Sequence, residues 1–446
     1  MSDKTQSRIL SGSFFAGRGI SLHSLLVERD GELLIEAYAP PWGRDSLHRM
    51  YSVTKSVVSL AVGKLLEDGK LSLSDHITSY FPELLPDPVP PELEALTIEH
   101  MLTMRTCHSL TTYKQGADAR YIPSWHDRWL WSFFNTKPDH QPGMVFKYDT
   151  SSTHLLASLV ERLSGQDFVS FVSSRVSPLD GRTYITKDPE GNPCGGSGLM
   201  MTSRGLLSLA RTVLRSDSPY VKKAVSRIVE NAVVHSGPDQ DLEAGYGYQF
   251  WRLSHNAFCM YGMGGQFAVI VPDTATVAVT TANTLGAKNG ERTLLEGLWA
   301  LLDALDGPVD YSIKPLIAEG RPLARTDVVS CVFPENRTLI SAVTFDFRSR
   351  RLIITADGRC HSLAFGYGER GRSPFGVECI DWALTSAAEL PDGTISFLSE
   401  LVGQEIGMIK LKAAFSGDLV TLHAECFGEV RFRGFNGIVT GRVCQS

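Results

Sequence analysis

One serine and one lysine in the sequence have the spacing that acyl transfer requires. Ser52 and Lys55 lie three residues apart in the run MYSVTK, which leads directly into an apolar helix pattern. Residues at this spacing share one face of a helix, so the serine oxygen would lie at the positive end of the helix dipole beside an ammonium group. Both features favour a hydroxyl that must lose its proton to attack a carbonyl. We therefore interpret Ser52 as a nucleophile.

The alternative is that Lys55 is an ordinary surface lysine near a helix cap. However, no other lysine in the chain has a serine three residues before it. The helix pattern that follows is apolar on nearly all sides, which predicts burial, and a buried lysine is costly to desolvate. These observations favour the catalytic interpretation.

A nucleophilic serine needs a proton acceptor, and the sequence offers two. Lys55 would serve if its pKa is depressed, and Tyr148 would serve if a neighbouring cation lowers the pKa of its phenol. Tyr148 lies shortly before an amphipathic helix pattern and is predicted to be outside that helix. Taken alone, Tyr148 is better explained as a buried tyrosine whose hydroxyl bonds to backbone.

Acyl transfer also needs two N–H groups that face the developing oxyanion. The N–H of Ser52 is one natural donor. A glycine-rich strand can supply the second, because its backbone approaches a substrate closely. The run GMGGQ, from Gly262 to Gln266, fits this need, and it makes Gly264, Gly265 and Gln266 candidate oxyanion or substrate contacts. The alternative is a bulge within a strand.

Other reaction types lack their sequence signals. The chain has no Gly-x-Ser-x-Gly elbow, no His-Glu-x-x-His run and no histidine spacing typical of a metal site. The GMGG run also lacks the strand–glycine–helix context of a dinucleotide site. We therefore predict no metal and no cofactor. Four further polar residues are interpreted as structural: Asp75, Glu99, His108 and His154.

Composition limits the partners and the location. The chain has 446 residues, of which 43% are hydrophobic and 21% charged, and its net charge of −6 is unfavourable for nucleic-acid binding. No run of about 18 apolar residues is present, so no membrane span is predicted. Eight scattered cysteines without a Cys-x-x-Cys pair, together with the lack of a signal-peptide core, favour the cytoplasm.

The hydrophobic pattern predicts a mixed first region and an all-β second region. Proline and glycine residues predict a linker at 311–325, which separates a domain at 1–310 from a β-barrel or sandwich at 326–446. The first domain is predicted to contain, in chain order, a hairpin over 22–38, helices that end near Gly69 and Gly165, antiparallel strands from 244 onwards, and a helix over 291–305.

The chain resembles the serine β-lactamase and penicillin-binding-protein superfamily. Three features in this order along the chain carry the resemblance: the Ser-x-x-Lys pair, the tyrosine before a helix and the glycine-rich run. The branch that the chain resembles is related to class C β-lactamases and includes esterases, D-aminopeptidases and 6-aminohexanoate-dimer hydrolases. The last of these are the most similar. The resemblance spans residues 22–305 and is supported by the runs LVERDG, GKLSLSD, LTMRT and GYGYQFW.

This resemblance implies a fold, a mechanism and a substrate class. The implied fold is α/β (α+β), with an antiparallel sheet flanked by helices. The implied mechanism acylates Ser52, uses Lys55 and Tyr148 to manage the proton, and releases the acyl group with water. The implied partner is a small-molecule amide or ester substrate, and a homo-oligomer is left open.

Three departures from the family pattern limit the class of substrate that we expect. Thr150 stands where true β-lactamases have the asparagine that orients a substrate, which makes Thr150 a candidate substrate contact. The Lys-Thr-Gly motif is absent, so binding of a β-lactam carboxylate loses its lysine. After the LTM run the chain has Thr106-Cys107, where relatives often have Thr-Gly or Ser-Gly. We therefore expect an amidase or esterase; a working β-lactamase and a binding or sensing module without turnover are the open alternatives.

Overall fold

The chain forms two compact units, and the computed structural model describes residues 12–112, 128–231, 241–377, 379–428 and 435–444. The first unit comprises residues 1–15, 22–282 and 289–314. The second unit comprises residues 16–21, 283–288 and 315–446. The predicted domain boundaries at 310 and 326 stay predictions.

The first unit combines helices with two sheets, as the resemblance predicted. Its described α-helices are α1 (Val53–Glu67), α2 (Pro91–Glu94), α3 (Ile98–Leu102), α4 (Trp129–Asn135), α5 (Thr150–Ser164), α6 (Phe168–Arg175), α7 (Ser203–Leu214), α8 (Pro219–Ala224) and α9 (Gly290–Ala304). Its strands are β1 (Ser21–Arg29), β2 (Glu32–Tyr38), β3 (Leu47–Arg49), β4 (Tyr184–Ile185), β5 (Leu199–Thr202), β6 (Trp251–Arg252), β7 (Phe258–Gly262), β8 (Gln266–Val271) and β9 (Thr276–Asn283).

Helix α1 is buried, as its apolar pattern predicts. Every residue from Val53 to Gly63 is buried. The helix ends in a Schellman motif, in which the N–H of Gly69 donates to the carbonyl of Leu66 at 3.0 Å and the N–H of Lys70 to that of Leu65 at 2.9 Å. A nucleophile at the start of this helix is therefore rigidly held.

Helix α5 places Tyr148 just before its cap. The Asp149 carboxylate accepts hydrogen bonds from the N–H groups of Ser151 at 2.9 Å and Ser152 at 3.0 Å, which caps the helix. The helix ends before Gly165, which is left-handed with φ 70°. The predicted position of Tyr148 outside the helix is confirmed.

The larger sheet of the first unit has six strands in the order β2-β1-β9-β8-β7-β6, and the smaller sheet has the order β3-β5-β4. Strands β1 and β2 pair antiparallel. Asp30 and Gly31 connect them with φ 50° and 83°, the left-handed pair that a two-residue hairpin turn favours. The predicted hairpin is therefore confirmed.

The strand prediction after residue 244 was partly wrong. Only Trp251 and Arg252 form a strand between 244 and 254. The run from Gly262 to Gln266 is not a strand either: β7 ends at Gly262, β8 begins at Gln266, and the three residues between them form the hairpin turn. Gly264 and Gly265 have φ 81° and 90°, a conformation that glycine adopts cheaply and that ends a strand.

The second unit is the predicted all-β unit, and of the two predicted forms it is the barrel. Its strands are β10 (Val328–Val332), β11 (Ile340–Asp346), β12 (Arg351–Ala356), β13 (Arg359–Gly366), β14 (Gly371–Val377), β15 (Ile380–Glu389), β16 (Ile395–Gly403), β17 (Ile406–Ser416), β18 (Leu419–Gly428) and β19 (Gly437–Val443). Their order is β13-β12-β11-β10-β19-β18-β17-β16-β15-β14. A parallel pairing of β13 with β15 closes the barrel around an apolar core.

No helix among the described residues is long and apolar enough to cross a membrane. The eight cysteines are free thiols, and Cys107, Cys194, Cys259 and Cys331 are buried. The predicted cytoplasmic location is not tested by these observations and stays a prediction.

Candidate active site

Ser52 lies at the N-cap of α1 but does not cap the helix with its side chain. The N–H groups of Val53, Thr54 and Lys55 donate at 3.0 Å to the carbonyls three residues before them. Within the described parts of the chain, the N–H of Ser52 itself has no hydrogen-bond acceptor. Both the hydroxyl and the N–H of Ser52 are therefore available for chemistry rather than used for capping.

Lys55 forms a hydrogen bond with the hydroxyl of Ser52. Its side chain is only 1% exposed, and its Nζ lies 3.0 Å from Ser52 Oγ and 2.6 Å from the carbonyl oxygen of Gly196. The same nitrogen lies 4.8 Å from the ring centroid of Tyr148, over the face of the ring. The interpretation of Lys55 as a surface lysine is wrong, because the residue is buried in this polar cluster.

Tyr148 completes the cluster. Burial raises the pKa of its phenol; a hydrogen bond with the Ser52 hydroxyl opposes this rise, and the charge of Asp149 adds to it. Lys55 is the residue whose charge would lower this pKa. Its Nζ faces the ring of Tyr148, but the pKa of the phenol is still raised. Tyr148 is therefore a neutral phenol at physiological pH, and the condition under which it would act as a base is not met.

The carbonyl of Gly196 is the part of this cluster that the sequence did not predict. A Cβ on Gly196 would lie 2.2 Å from Cγ2 of Thr150, and a Cβ on Gly195 would lie 2.3 Å from Cβ of Ala157. Only glycines fit this close approach to α5. The Thr150 methyl group therefore packs against the backbone that binds Lys55, and the available sequence signal was the glycine run GGSG.

A buried hydrogen bond between two side chains anchors the loop that precedes Gly196. His154 Nε2 on α5 lies 3.0 Å from Asp188 Oδ2, and neither side chain is more than 1% exposed. Burial would raise the pKa of Asp188, but hydrogen bonds from His154 and Asn192 outweigh it and hold the pKa below its usual value. The structural interpretation of His154 agrees with this contact.

Three bulky residues with positive φ contact this region. Tyr51, Met104 and Gln249 have φ 44°, 55° and 65°. Tyr51 precedes the nucleophile, the carbonyl of Met104 accepts a hydrogen bond from the N–H of Lys147 at 2.8 Å, and the carbonyl of Gln249 accepts one from the Ser56 hydroxyl at 2.5 Å. Such conformations cost of order 1–3 kcal/mol each and concentrate at functional sites.

The glycine turn lies against the nucleophile. A Cβ on Gly262 would lie 2.2 Å from the carbonyl oxygen of Met50 and 3.2 Å from the nitrogen of Ser52. Gly262 therefore permits the close contact between β7 and the start of α1. This contact brings the turn at Met263–Gly265 next to the Ser52 N–H.

Side chains fix the main chain of this turn at three atoms. Gln266 Nε2 donates to the carbonyl of Met263 at 3.3 Å, and the Thr280 hydroxyl donates to the carbonyl of Gly265 at 2.9 Å. The N–H of Gly264 donates to Glu291 Oε1 at 3.1 Å. Among the residues with described positions, the N–H of Gly265 has no acceptor.

These contacts change the interpretation of two predicted site residues. Gly264 is a poor oxyanion donor because its N–H is already bonded to Glu291. Gln266 is 1% exposed and donates to the carbonyls of Met263 and Ala282, so it supports the turn rather than facing a substrate. Gly265 stays a candidate donor.

The described residues contain no group of three or more His, Cys, Asp or Glu side chains that could hold a metal ion. The prediction of no cofactor stays a prediction.

Comparisons with known proteins identify relatives of this chain. The chain is 24% identical over 278 residues to the 6-aminohexanoate-dimer hydrolase of Paenarthrobacter ureafaciens, covering 57% of this chain and 71% of that protein. It is 27% identical over 187 residues to esterase EstB of Burkholderia gladioli, covering 38% of this chain and 47% of that protein.

The fold is also similar to that of the octameric penicillin-binding protein homologue from Pyrococcus abyssi. The TM-score is 0.54 at 16% identity, covering 95% of this chain and 98% of that one. The family described as Beta-lactamase matches residues 16–298, more than half of the chain. The protein therefore belongs to the beta-lactamase family of serine hydrolases.

Proposed function

We propose that this protein hydrolyses a small amide or ester through an acyl-enzyme on Ser52. The observation that carries the proposal is the buried contact of Lys55 Nζ with Ser52 Oγ at 3.0 Å, fixed by a second bond of 2.6 Å to the Gly196 carbonyl. The second bond fixes the position of Lys55 Nζ beside the Ser52 hydroxyl. The similarity to a dimer hydrolase and an esterase supports the reaction class.

In the acylation step, the neutral amine of Lys55 takes the proton of the Ser52 hydroxyl as Oγ attacks the substrate carbonyl carbon. The carbonyl oxygen becomes an oxyanion. The N–H groups of Ser52 and Gly265 are its proposed donors, because neither has an acceptor within the described structure.

Tyr148 is the proposed proton relay to the leaving group. Burial raises the pKa of its phenol, so the phenol keeps its proton at neutral pH. It can donate that proton to the departing amine or alkoxide and take one from the Lys55 ammonium in return. Water then attacks the acyl carbon while Lys55 accepts its proton. The bond from that carbon to Ser52 Oγ breaks, the acid leaves, and Oγ takes the proton back from Lys55.

Labelling with a fluorophosphonate probe tests the nucleophile. Intact-mass analysis should show one probe on the wild-type chain and none on Ser52→Ala. Labelling that persists in Ser52→Ala contradicts the proposal. Turnover of a panel of p-nitrophenyl esters and anilides distinguishes a hydrolase from a module that is acylated but does not release product.

We also propose a cytoplasmic location and a homo-oligomeric state. The eight free thiols support the location, and the fold similarity to an octameric homologue motivates the oligomer. Light scattering that gives the monomer mass of 48.9 kDa at all concentrations would contradict the oligomer. Fractionation of the native cells checks the location.

A further inference from the structure

Glu291 places a negative charge at the glycine turn. It is the second residue of α9, it is partly exposed, and its Oε1 accepts the hydrogen bond from the Gly264 N–H at 3.1 Å. Within the described ranges, no lysine or arginine forms an ion pair with it, whereas its neighbour Arg292 pairs with Glu296 at 2.8 Å. The charge of Glu291 is therefore not neutralised by a described neighbour.

The glycine turn determines where the Glu291 carboxylate lies relative to the proposed oxyanion donor. Gly264 is bonded to Glu291, and Gly265, the next residue, carries the N–H proposed to bind the oxyanion. One peptide unit therefore separates the carboxylate from the proposed oxyanion donor. The contact of Gly262 with the backbone of Ser52 places the same turn beside the nucleophile.

The other side chains that anchor the turn are neutral. The turn itself contains only glycine and methionine, and its other two anchoring side chains, Gln266 and Thr280, are neutral. The amine nitrogen of Lys55 is buried and bonded to Ser52 and Gly196. An anionic group of a substrate at this turn would meet a like charge.

We propose that Glu291 is a specificity-determining residue that makes the enzyme prefer acyl groups that are neutral or cationic over those that are anionic. This inference rests on the proposed acyl transfer at Ser52. Its physical basis is Coulomb repulsion of an anionic acyl group and attraction of a cationic one at the edge of a partly desolvated site.

Three p-nitrophenyl esters with acyl chains of equal length test the proposal. The hexanoyl ester is neutral, the adipoyl monoester is anionic and the 6-(trimethylammonio)hexanoyl ester is cationic. For the wild-type protein, we expect kcat/KM for the anionic ester to be about tenfold below that for the neutral ester. The cationic ester should be equal to or better than the neutral one.

The Glu291→Gln variant separates charge from hydrogen bonding. Its amide oxygen can still accept the Gly264 N–H, so the turn keeps its anchor while the charge is lost. In this variant, the neutral-to-anionic ratio of kcat/KM should fall from about ten to within about twofold of one. The matched control is Glu296→Gln on the same helix, whose carboxylate is already paired with Arg292 and should leave the ratio unchanged.

An unchanged ratio in Glu291→Gln overturns the proposal, whatever happens to the absolute rates. Wild-type hydrolysis of the neutral ester reports separately on the proposed function. If Ser52 is acylated without turnover, the same ratio is measured from the acylation rate constants. Thermal denaturation of each variant verifies that it is folded.

Discussion

The two sides of Ser52 are built in different ways. On the proton-transfer side, side chains do the chemistry: Lys55 and Tyr148 lie on or next to buried helices and contact the nucleophile directly. On the oxyanion side, the reacting groups are main-chain N–H groups, and the side chains of Thr280 and Glu291 hold the turn that carries one of them. Substitution of the base Lys55 should therefore cost more activity than a substitution that displaces the turn.

The largest effect is expected from Lys55→Met. Methionine fills the buried volume but cannot accept a proton, so the rate of acylation should fall by about 10³-fold. The control is Lys64→Met on the same helix, because Lys64 lies near the surface and pairs with Glu67 at 2.8 Å. The rate of fluorophosphonate labelling measures the effect. A Lys55→Met variant that labels at the wild-type rate would show that the lysine is not the base.

Gly262→Ala tests the oxyanion side. The added Cβ would lie 2.2 Å from the Met50 carbonyl oxygen, which forces the turn away from the Ser52 N–H. Loss of one oxyanion donor reduces kcat by about 10²–10³-fold. Gly43→Ala is the control, since a Cβ there meets no atom within 4 Å. Steady-state kinetics on a neutral ester should show the loss in kcat more than in KM; an unaffected kcat would mean that the turn does not bind the oxyanion.

Tyr148→Phe should separate acylation from leaving-group protonation. Because the phenol is neutral and acts as a relay, its loss should matter most for poor leaving groups. We expect anilide hydrolysis to fall about 10²-fold and p-nitrophenyl ester hydrolysis much less. The ratio of the two kcat/KM values is the measurement. An equal loss on both substrates argues against a relay.

The smallest effect is expected from His48, on the strand that leads to Ser52. Burial lowers its pKa well below the usual value, and the nearby His23 adds to the effect. The folded state therefore stays neutral while the unfolded chain takes up a proton below pH about 6.5. Stability from this group is present at pH 7 and is lost as the pH falls through the range in which the unfolded chain takes up the proton.

His48→Phe should remove this part of the acid sensitivity. Chemical unfolding at pH 7 and pH 5 compares wild type with the variant, and the drop in unfolding free energy should be smaller for His48→Phe. His76→Phe, at an exposed position, should behave like wild type. Equal drops in all three proteins would show that His48 does not titrate on unfolding.

The same contrast explains what could be predicted from the sequence. Three local patterns were sufficient here: the spacing of Ser52 and Lys55, the amphipathic pattern that begins after Tyr148, and the glycine that ends α1. The structure brings Ser52, Lys55 and Tyr148 together as expected. Their catalytic roles stay predictions until tested. The all-β second unit was likewise predicted, as a barrel or a sandwich, from its short strands and turns.

The parts that could not be predicted depend on the main chain or on distant residues. The Gly196 carbonyl carries no side-chain signature, and Glu291 reaches Gly264 across 27 positions. The glycine run was assigned to a strand because apolar residues flank it, but positive φ at Gly264 and Gly265 makes it a turn. Only tertiary structure selects between these conformations.

The role of the Gly196 carbonyl affects how variant libraries of this protein should be interpreted. Every amino acid placed at position 196 keeps a carbonyl oxygen, so no codon change can delete the group that bonds to Lys55. Saturation mutagenesis there would report only the space beside Thr150, and the position would be classified as a steric constraint. A group that orients the lysine would thus be missed by sequence-function maps, and removing it requires a change to the polypeptide backbone by chemical synthesis.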